Sequence, residues 1–383
     1  MFYSLTKDVE AFLDGELDSV KALLKEISLI PAPSNYEDER AEFVKKWLSD
    51  IGAERVYIDE AKNVIYKLEG ENTDDAVVFM AHTDTVFPIE TPLVWREDDE
   101  NLYCPGIGDD TCSLVVLLTI IKYVVKNDVK PKRTVLFVAN SCEEGLGNLK
   151  GSKQIVKDFG KLLSEFYTFD HNYTSLVTGC VGSHRYKVSC FTEGGHSFGA
   201  FGNANAIVEL SKLVTELYAV EVPQKENTKT TYNVGMISGG TSVNTIAQLA
   251  EMLYEYRSDD RECLEFMKRT FEAKIAEIKA SSRARFEVEL VGDRPCDGDF
   301  DKVKHRAMIE RVQSVCTKFS GLPCPEMSGS TDCNSASSAG IPSVCAGVYL
   351  GGGTHTREEW VKKDSIATGL RIAAELILDN FNI

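Results

Sequence analysis

The sequence predicts an α/β protein with a smaller α+β unit inserted into it. Three short segments, residues 76–80, 134–139 and 166–169, are rich in aromatic, β-branched and other apolar side chains. That composition is typical of strands buried on both faces of a parallel sheet. Between residues 184 and 291 the pattern reads strand, helix, strand, strand, helix, strand, which is the order of a ferredoxin-like unit.

The length of the chain supports the same division. A chain of 383 residues is expected to form two domains rather than one. We predict one α/β domain from residues 1–182 and 292–383, and an inserted domain at residues 183–291.

The composition excludes two classes of partner and indicates a compartment. The net charge is −17 and the pI is near 4.9, whereas nucleic acids and anionic membranes bind basic surfaces. The amino terminus lacks the pattern of a signal peptide, and no segment approaches the ~18 apolar residues of a membrane span. The 11 cysteines include no Cys-x-x-Cys pair, which predicts reduced thiols in a cytoplasmic protein.

The first elements are predicted from apolar spacing. Residues 17–27 have helical spacing, and Pro31 and Pro33 end that helix. Ser34 and Glu37 are spaced as a capping box, which would begin a second helix. Short strands at residues 56–58 and 64–68 follow.

His82 and Asp84 come directly after the first buried strand. Ligands of open α/β sheets bind at the carboxyl ends of the strands. A histidine and a carboxylate at this place suggest a metal ligand and the partner that fixes its tautomer. The alternative is a polar residue with an ordinary structural hydrogen bond.

Asp109 and Asp110 follow Gly106 and Gly108, at the start of an apolar helix over residues 114–125. Glycines there allow close approach of the backbone to a ligand. Either aspartate could instead be a helix N-cap. A nucleotide loop is discounted, because the full Gly-x-Gly-x-x-Gly and the P-loop lysine are absent.

Two further buried strands end in acidic residues. Glu143 and Glu144 follow the strand at 134–139, and Asp170 follows the strand at 166–169. Because the carboxyl ends of parallel strands share one edge, we expect these side chains to lie near His82. After the inserted unit the pattern predicts a helix at 303–319, a strand at 341–348 leading to His355, and a last helix at 364–378.

The residues that could bind metal form two histidine and carboxylate sets with one carboxylate shared. Zinc accepts nitrogen and carboxylate ligands and keeps a position open for water at catalytic sites. Two metals ~3.5–4 Å apart need a bridging carboxylate. The candidate ligands are His82, Asp109, Glu144, Asp170 and His355, with Glu143 beside them.

The motifs together resemble the di-zinc metallopeptidases and deacylases of clan MH. These include peptidase T, carboxypeptidase G, aminoacylase, acetylornithine deacetylase and succinyl-diaminopimelate desuccinylase. The resemblance covers nearly the whole chain and rests on Ala-His-Thr-Asp-Thr-Val at 81–86, Gly-Asp-Asp at 108–110, Glu-Glu-Gly at 143–145, Gly-Gly-His-Ser at 194–197 and Gly-Thr-His-Thr at 353–356. It implies a catalytic domain with a mixed sheet sandwiched by helices, and a ferredoxin-like lid and dimerisation domain.

The resemblance also implies a role for each residue of the motifs. His82 and Asp170 would hold one metal, Glu144 and His355 the other, and Asp109 would bridge them. Asp84 would orient His82, and Glu143 would be the general base. The metals would be two Zn²⁺, although Co²⁺ or Mn²⁺ also accept such sites.

Three residues of the inserted domain would act on the substrate. His196 would stabilise the oxyanion, and Arg257 and Asn244 would bind a substrate carboxylate. The alternatives are an ion pair of Arg257 with Asp259, Asp260 or a strand neighbour, and a turn role for Asn244. In several relatives the equivalent histidine comes from the partner subunit, which predicts a homodimer through the lid domain.

The resemblance allows more than one reaction. An aspartate at Asp170, where deacylases and carboxypeptidases usually have glutamate, favours a peptidase T-like enzyme that removes residues from di- or tripeptides. The alternative is an N-acyl amino acid deacylase or carboxypeptidase. A non-catalytic metal-binding dimer scaffold ranks lower, because neither Glu143 nor a ligand is missing. A further hypothesis is that thiol reagents inhibit through Cys112 or Cys142, which are adjacent to the motifs.

Overall fold

The computed structural model describes residues 3–383, which form two units. The first contains residues 3–179 and 298–383, and the second is Cys180–Asp297. The second unit begins three residues before, and ends six residues after, the inserted domain predicted from the sequence. No helix among residues 3–383 is both long and apolar enough to cross a lipid bilayer.

Three helices and then five strands come first, followed by the remaining helices and strands before the unit boundary. The elements are α1 (Lys7–Gly15), α2 (Leu17–Ser28), α3 (Asp38–Asp50), β1 (Tyr57–Ile58), β2 (Val64–Leu68), β3 (Asn72–His82), β4 (Arg96–Glu97), β5 (Asn101–Tyr103), α4 (Ser113–Lys126), β6 (Arg133–Asn140), α5 (Lys150–Phe159), β7 (Leu163–Phe169) and β8 (Leu176–Cys180). An irregular turn, Ile107–Cys112, precedes α4.

The remaining elements belong to the second unit and then to the carboxyl-terminal part of the first unit. The second unit contains β9 (Gly182–Phe191), β10 (Gly195–His196), α6 (Ala206–Tyr218), β11 (Thr230–Gly239), β12 (Thr245–Ile246), β13 (Leu249–Ser258), α7 (Arg261–Ser281) and β14 (Arg285–Arg294). The first unit resumes with α8 (Lys302–Ser320), β15 (Glu326–Gly329), α9 (Cys333–Ser338), β16 (Ser343–Ala346), β17 (Gly351–Gly352), β18 (Trp360–Lys362) and α10 (Lys363–Leu378).

The main sheet of the first unit is mixed, as the resemblance implied. Its strand order is β1-β2-β6-β3-β7-β16-β8-β15. The four central strands β6, β3, β7 and β16 are parallel, whereas β2 and β8 pair antiparallel on either side of them. The parallel strands therefore deliver their carboxyl ends to one edge of the sheet.

Residues 76–81 of β3 are apolar without interruption, because helices cover both faces of the sheet. Val77, Phe79 and Ala81 belong to the core cluster that also contains residues of α1, α2, α4, α8 and α10. Ala76, Val78 and Met80, which point the other way, pack in a second cluster with residues of α5 and α9. The α/β class with helices on both faces is thus confirmed.

The second unit has the predicted ferredoxin-like order. Its antiparallel sheet runs β11-β13-β9-β14, and α6 and α7 contribute to the core cluster formed with β9 and β13. Strands β11 and β14 are the edges of this sheet.

Some local predictions were incomplete or wrong. Helices α1, α5 and α9 and strands β8 and β15 were not predicted, because they are short or polar. The capping box was also wrong. Glu37 is the N-cap residue of α3, but no side chain caps that helix, and both Ser34 and Glu37 bond to other parts of the chain.

Candidate metal centre and active site

His82 is held at the carboxyl end of β3 with one ring nitrogen turned toward Asp109. Its Nδ1 lies 3.0 Å from the main-chain carbonyl of Asp84 and 3.5 Å from the carboxylate of Asp84. Its Nε2 lies 3.0 Å from Asp109 Oδ1. Donation from Nδ1–H to the carbonyl leaves the Nε2 lone pair for a metal. The nearer partner of the ring is therefore the carbonyl of Asp84 and not its carboxylate.

The carboxylate of Asp84 has a different set of partners. It accepts the main-chain N–H groups of Glu143 at 2.9 Å and Glu144 at 3.0 Å, and the Ser34 hydroxyl at 2.6 Å. Asp84 is fully buried. One aspartate thus orients His82 through its backbone and fixes the Glu143–Glu144 turn through its side chain.

Asp109 lies between the two candidate histidines. Its Oδ1 is 3.0 Å from His82 Nε2, and its Oδ2 is 3.1 Å from His355 Nε2. Neither Asp109 nor Asp110 caps α4, whose N-cap residue is Cys112. Asp110 instead accepts the main-chain N–H of His82 at 2.9 Å. A carboxylate with one oxygen toward each imidazole has the arrangement that a bridging ligand needs.

The predicted ligands converge into two overlapping groups. His82, Asp109 and Asp170 form one, and Asp109, Glu144 and His355 form the other, with the ligand atoms of each group within 4.8 Å of one another. His355 Nε2 lies 3.1 Å from Glu144 Oε1. Glu143 groups with His82 and Glu144. The residues fit the division into two sites with Asp109 shared.

The charge balance of this pocket also fits bound cations. Asp84, Asp109, Asp110, Glu144 and Asp170 are all at least nine-tenths buried. Asp170 Oδ1 and Asp110 Oδ1 are buried oxygens without a hydrogen bond, although Asp170 Oδ1 lies 3.3 Å from His171 Nδ1. Buried carboxylates are costly unless they are paired or coordinate a metal.

The pKa values of the candidate ligands indicate the same excess of negative charge in the pocket. Burial, and then the field of Asp109, raise the pKa of Glu144 to about 8, and burial raises that of Asp170 to about 6. Hydrogen bonds to Asp109 and Glu144 raise the pKa of His355 to about 10. Burial lowers the pKa of His82, but the carboxylates of Asp110, Asp109 and Asp84 outweigh it and raise that pKa well above its usual value. A divalent cation would replace these protons, as metal binding to such ligands requires.

His196 lies in the second unit, on an exposed short strand. Its Nδ1 accepts the main-chain N–H groups of Phe198 and Gly199, each at 3.3 Å. In the neutral ring this places the proton on Nε2, which suits a hydrogen-bond donor to a substrate oxygen. The adjacent Ser197 N–H donates to the carbonyl of Asn244 at 2.9 Å. His196 and Asn244, which were both predicted to act on the substrate, therefore lie on neighbouring segments of the second unit.

Arg257 and Asn244 both have side-chain hydrogen-bond partners within the second unit. Arg257 forms a two-point ion pair with Glu255, with Nε and Nη2 at 2.9 and 3.1 Å from its oxygens. Asn244 accepts the hydroxyl of Ser242 at 2.6 Å within its turn. A substrate carboxylate would have to compete with Glu255 for the guanidinium.

Cys112 and Cys142 are not the exposed thiols that the inhibition hypothesis needs. Both are buried. Burial raises the pKa of Cys112 far above the usual value, and burial together with the nearby Glu37 carboxylate raises that of Cys142 to about 12. Because the thiolate is the form that reacts with thiol reagents, both cysteines lack the features of reactive thiols in the folded protein, which argues against the hypothesis.

Glu359 is a residue of this site that the sequence did not reveal. Its buried carboxylate accepts the main-chain N–H groups of Gly106 at 3.0 Å and of Gly108 and Asp109 at 2.8 Å. It therefore holds the turn that carries the central aspartate. Glu359 follows Glu358 in a polar stretch, and no local pattern distinguishes the buried one from its exposed neighbour.

Comparison with known proteins gives a consistent picture. Residues 78–379 match the model of peptidase family M20/M25/M40. The chain is 26% identical to succinyl-diaminopimelate desuccinylase of Corynebacterium glutamicum over 254 residues (63% of this chain and 68% of that protein), and 24% identical to carboxypeptidase G2 of a Pseudomonas species over 326 residues (83% and 76%). Its fold is similar to that of aminopeptidase PepT from Bacillus cereus, with a TM-score of 0.69 at 21% identity, covering 95% of this chain and 98% of that one.

Proposed function

The chain belongs to peptidase family M20/M25/M40, and we propose that within this family it is an aminopeptidase acting on di- or tripeptides. At the coarser level it is a metal-dependent hydrolase of peptide or related amide bonds. Asp170 supports the finer proposal, because the resemblance associates an aspartate at this ligand with enzymes that recognise a free α-amino group. The fold similarity to an aminopeptidase agrees with it.

The proposed metal ligands are those that the pocket brings together. His82 and Asp170 would hold one Zn²⁺, and Glu144 and His355 would hold the other. Asp109 would contribute to both. Bound metal ions lower the pKa of a coordinated water toward ~7 and polarise the substrate carbonyl. Co²⁺ or Mn²⁺ would fit the same nitrogen and oxygen donors.

Glu143 supplies the proton transfer in this proposal. Its carboxylate groups with His82 and Glu144, and its main-chain N–H is fixed by Asp84 at 2.9 Å. The carboxylate takes a proton from the attacking water and returns it to the leaving amine nitrogen. His196, with its proton on Nε2, donates to the carbonyl oxygen as that oxygen gains charge. Arg257 and Asn244 would bind the substrate carboxylate, Arg257 after exchange with Glu255.

A pair of substrates that differ only in N-acetylation tests the reaction type. We expect Leu-Gly-Gly to be hydrolysed at least about 10-fold more efficiently, in kcat/KM, than N-acetyl-Leu-Gly-Gly, since a site that pairs a substrate amine rejects the analogue that lacks it. The assay would use the zinc and the cobalt protein. Preference for the acetylated peptide would overturn the aminopeptidase proposal.

The second candidate is an N-acyl amino acid deacylase or carboxypeptidase. The similarity to a desuccinylase and to carboxypeptidase G2 favours it. N-acetyl and N-succinyl amino acids, assayed beside the tripeptides, would reveal this activity. A protein that binds metal but cleaves none of these compounds would match the lower-ranked scaffold.

We also propose a homodimer that forms through the second unit. Within residues 3–383, the outer edge of β11 pairs with no other strand, and Met236 and Ile237 on it are 61% and 54% exposed. Ile207 and Val208 of α6 are also exposed, and Ile207 is close to Gly239 at the end of β11. An unprotected apolar edge strand is a template for pairing with a second chain. The proposed cytoplasmic location agrees with the 11 cysteines, none of which forms a disulfide bond in the described residues.

Sedimentation equilibrium tests the dimer. We expect the wild-type protein to have twice the chain mass of 42.4 kDa, and Ile237→Lys to shift the equilibrium toward the monomer, because a lysine on an edge strand opposes pairing. Val303→Lys, on an 82% exposed valine of α8, is the matched control. A wild-type monomer, or an Ile237→Lys dimer as tight as the control, would argue against this interface.

A further inference from the structure

The segment from Ser34 to Arg40, which follows α2 and includes the first residues of α3, contacts three of the loops that carry the metal cluster. We propose that Ser34, Glu37 and Arg40 are positioning residues that hold the candidate metal ligands and the general base in place. This proposal rests on the proposed function of the cluster. Its basis is that side chains spaced like a local helix cap bond instead to residues far away in the sequence.

Ser34 hydrogen-bonds to Asp84, whose carboxylate in turn holds the main chain of the proposed base Glu143. Its Oγ donates to Asp84 Oδ2 at 2.6 Å and also lies 3.3 Å from the carbonyl of Glu144. Asp84 in turn accepts the N–H groups of Glu143 and Glu144. The serine therefore fixes the rotamer of a carboxylate that has no freedom to rotate without releasing both glutamates.

Glu37 holds the residue directly before the base. Its Oε1 accepts the N–H groups of Cys142 at 3.0 Å and of Asn35 at 2.9 Å. Cys142 has a φ of +57°, a left-handed conformation that a residue with a β-carbon adopts only at a cost. The turn that presents Glu143 and Glu144 thus depends on hydrogen bonds from residues outside the turn. Glu37, which is fully buried, provides one of them.

Arg40 joins the other two loops. Its Nη1 donates to the carbonyl of Thr83 at 2.8 Å and to Thr111 Oγ1 at 3.3 Å, and its Nη2 donates to the carbonyl of Ile30 at 2.6 Å. Thr83 lies between His82 and Asp84, and Thr111 follows the Asp109–Asp110 pair. The fork of N–H groups on a planar guanidinium suits such separate acceptors.

Arg40 also places a positive charge beneath the acidic pocket. It is 1% exposed. Burial lowers its pKa to about 10, which still leaves it cationic at neutral pH, and the field of Asp84 favours the charged form. The segment therefore contributes both geometry and charge balance. Residues that orient metal ligands typically account for about 10–100-fold in metal affinity or activity.

The test compares two substitutions of one side chain. Glu37→Gln keeps an oxygen that can accept both N–H groups, whereas Glu37→Ala removes the acceptor. We expect Glu37→Ala to weaken Co²⁺ binding and to lower kcat by about 10–100-fold each, with KM nearly unchanged, and Glu37→Gln to stay within about 3-fold of wild type. Titration followed by the visible absorption of Co²⁺ gives the affinity, and steady-state kinetics give kcat and KM. Glu39→Ala, an exposed glutamate on α3, is the matched control.

Two results would overturn the proposal. One is a Glu37→Ala protein with the Co²⁺ affinity and kcat of Glu39→Ala, and the other is a Glu37→Gln protein as impaired as Glu37→Ala. If circular dichroism shows that Glu37→Ala does not fold, Ser34→Ala replaces it, with an expected loss of about 10-fold in Co²⁺ affinity; an unchanged affinity would count against the proposal. A wild-type protein that binds Co²⁺ but hydrolyses no peptide would overturn the proposed function alone, because the affinities would still test the positioning role.

Discussion

Replacing Glu143 with alanine is expected to lower kcat by about 10²–10⁴-fold while bound metal stays near the wild-type content. The reason is that the carboxylate moves the proton of the attacking water, whereas the proposed ligands are other residues. Glu143 donates a hydrogen bond to Asp84 through its main-chain N–H, which alanine also has. The substitution therefore leaves the turn, and with it Glu144, in place. Steady-state kinetics with metal analysis by mass spectrometry would measure both quantities.

Glu143→Gln is the matched variant for this prediction. It has the size of glutamate and a polar end, but it cannot take a proton, so it should be as inactive as the alanine variant. Either variant with kcat within about 10-fold of wild type would remove Glu143 from the role of base. A variant that also lost its metal would make Glu143 a ligand instead.

Replacing Asp109 with asparagine is expected to remove at least one of two bound metal ions and to lower kcat by at least about 10³-fold. The amide offers one oxygen where the carboxylate offers two, and Asp109 has one oxygen within 3.1 Å of each histidine. The amide is also neutral, so the pocket loses a charge that attracts the cations. The measurement is the metal content after dialysis, followed by kcat at saturating substrate.

Asp99→Asn, at an exposed aspartate outside the pocket, controls for the loss of one negative charge from the protein. It should keep both metals and full activity. An Asp109→Asn protein that retained two tightly bound ions would show that the bridge lies elsewhere.

The strand ends made most of the candidate metal ligands predictable. Ala76–His82 is buried throughout, and a continuous apolar run signals a central parallel strand whose carboxyl end lies at the functional edge. The same argument applied to β6 and β7 located Glu144 and Asp170. His355 follows only the short strands β16 and β17 in the structure, and it was a candidate because a strand predicted at 341–348 leads to it.

The supporting residues were not predictable, because their partners are distant in sequence. Glu359 lies 250 residues from Asp109, whose N–H it accepts, and Glu37 lies 105 residues from Cys142. Ser34 and Glu37 even match a local motif, which suggested the wrong partner. Arg257 was different, since its partner Glu255 is two residues away on the same strand, and the alternative to substrate binding was an ion pair with Asp259, Asp260 or a strand neighbour.

The most direct test of the central claim is anomalous diffraction from a zinc-loaded crystal, with data collected above and below the zinc edge. The account predicts two strong peaks about 3.5–4 Å apart. One should be ligated by His82 and Asp170, the other by Glu144 and His355, with Asp109 bridging both. A single peak, or peaks away from Asp109, would contradict a shared two-metal site in this protein.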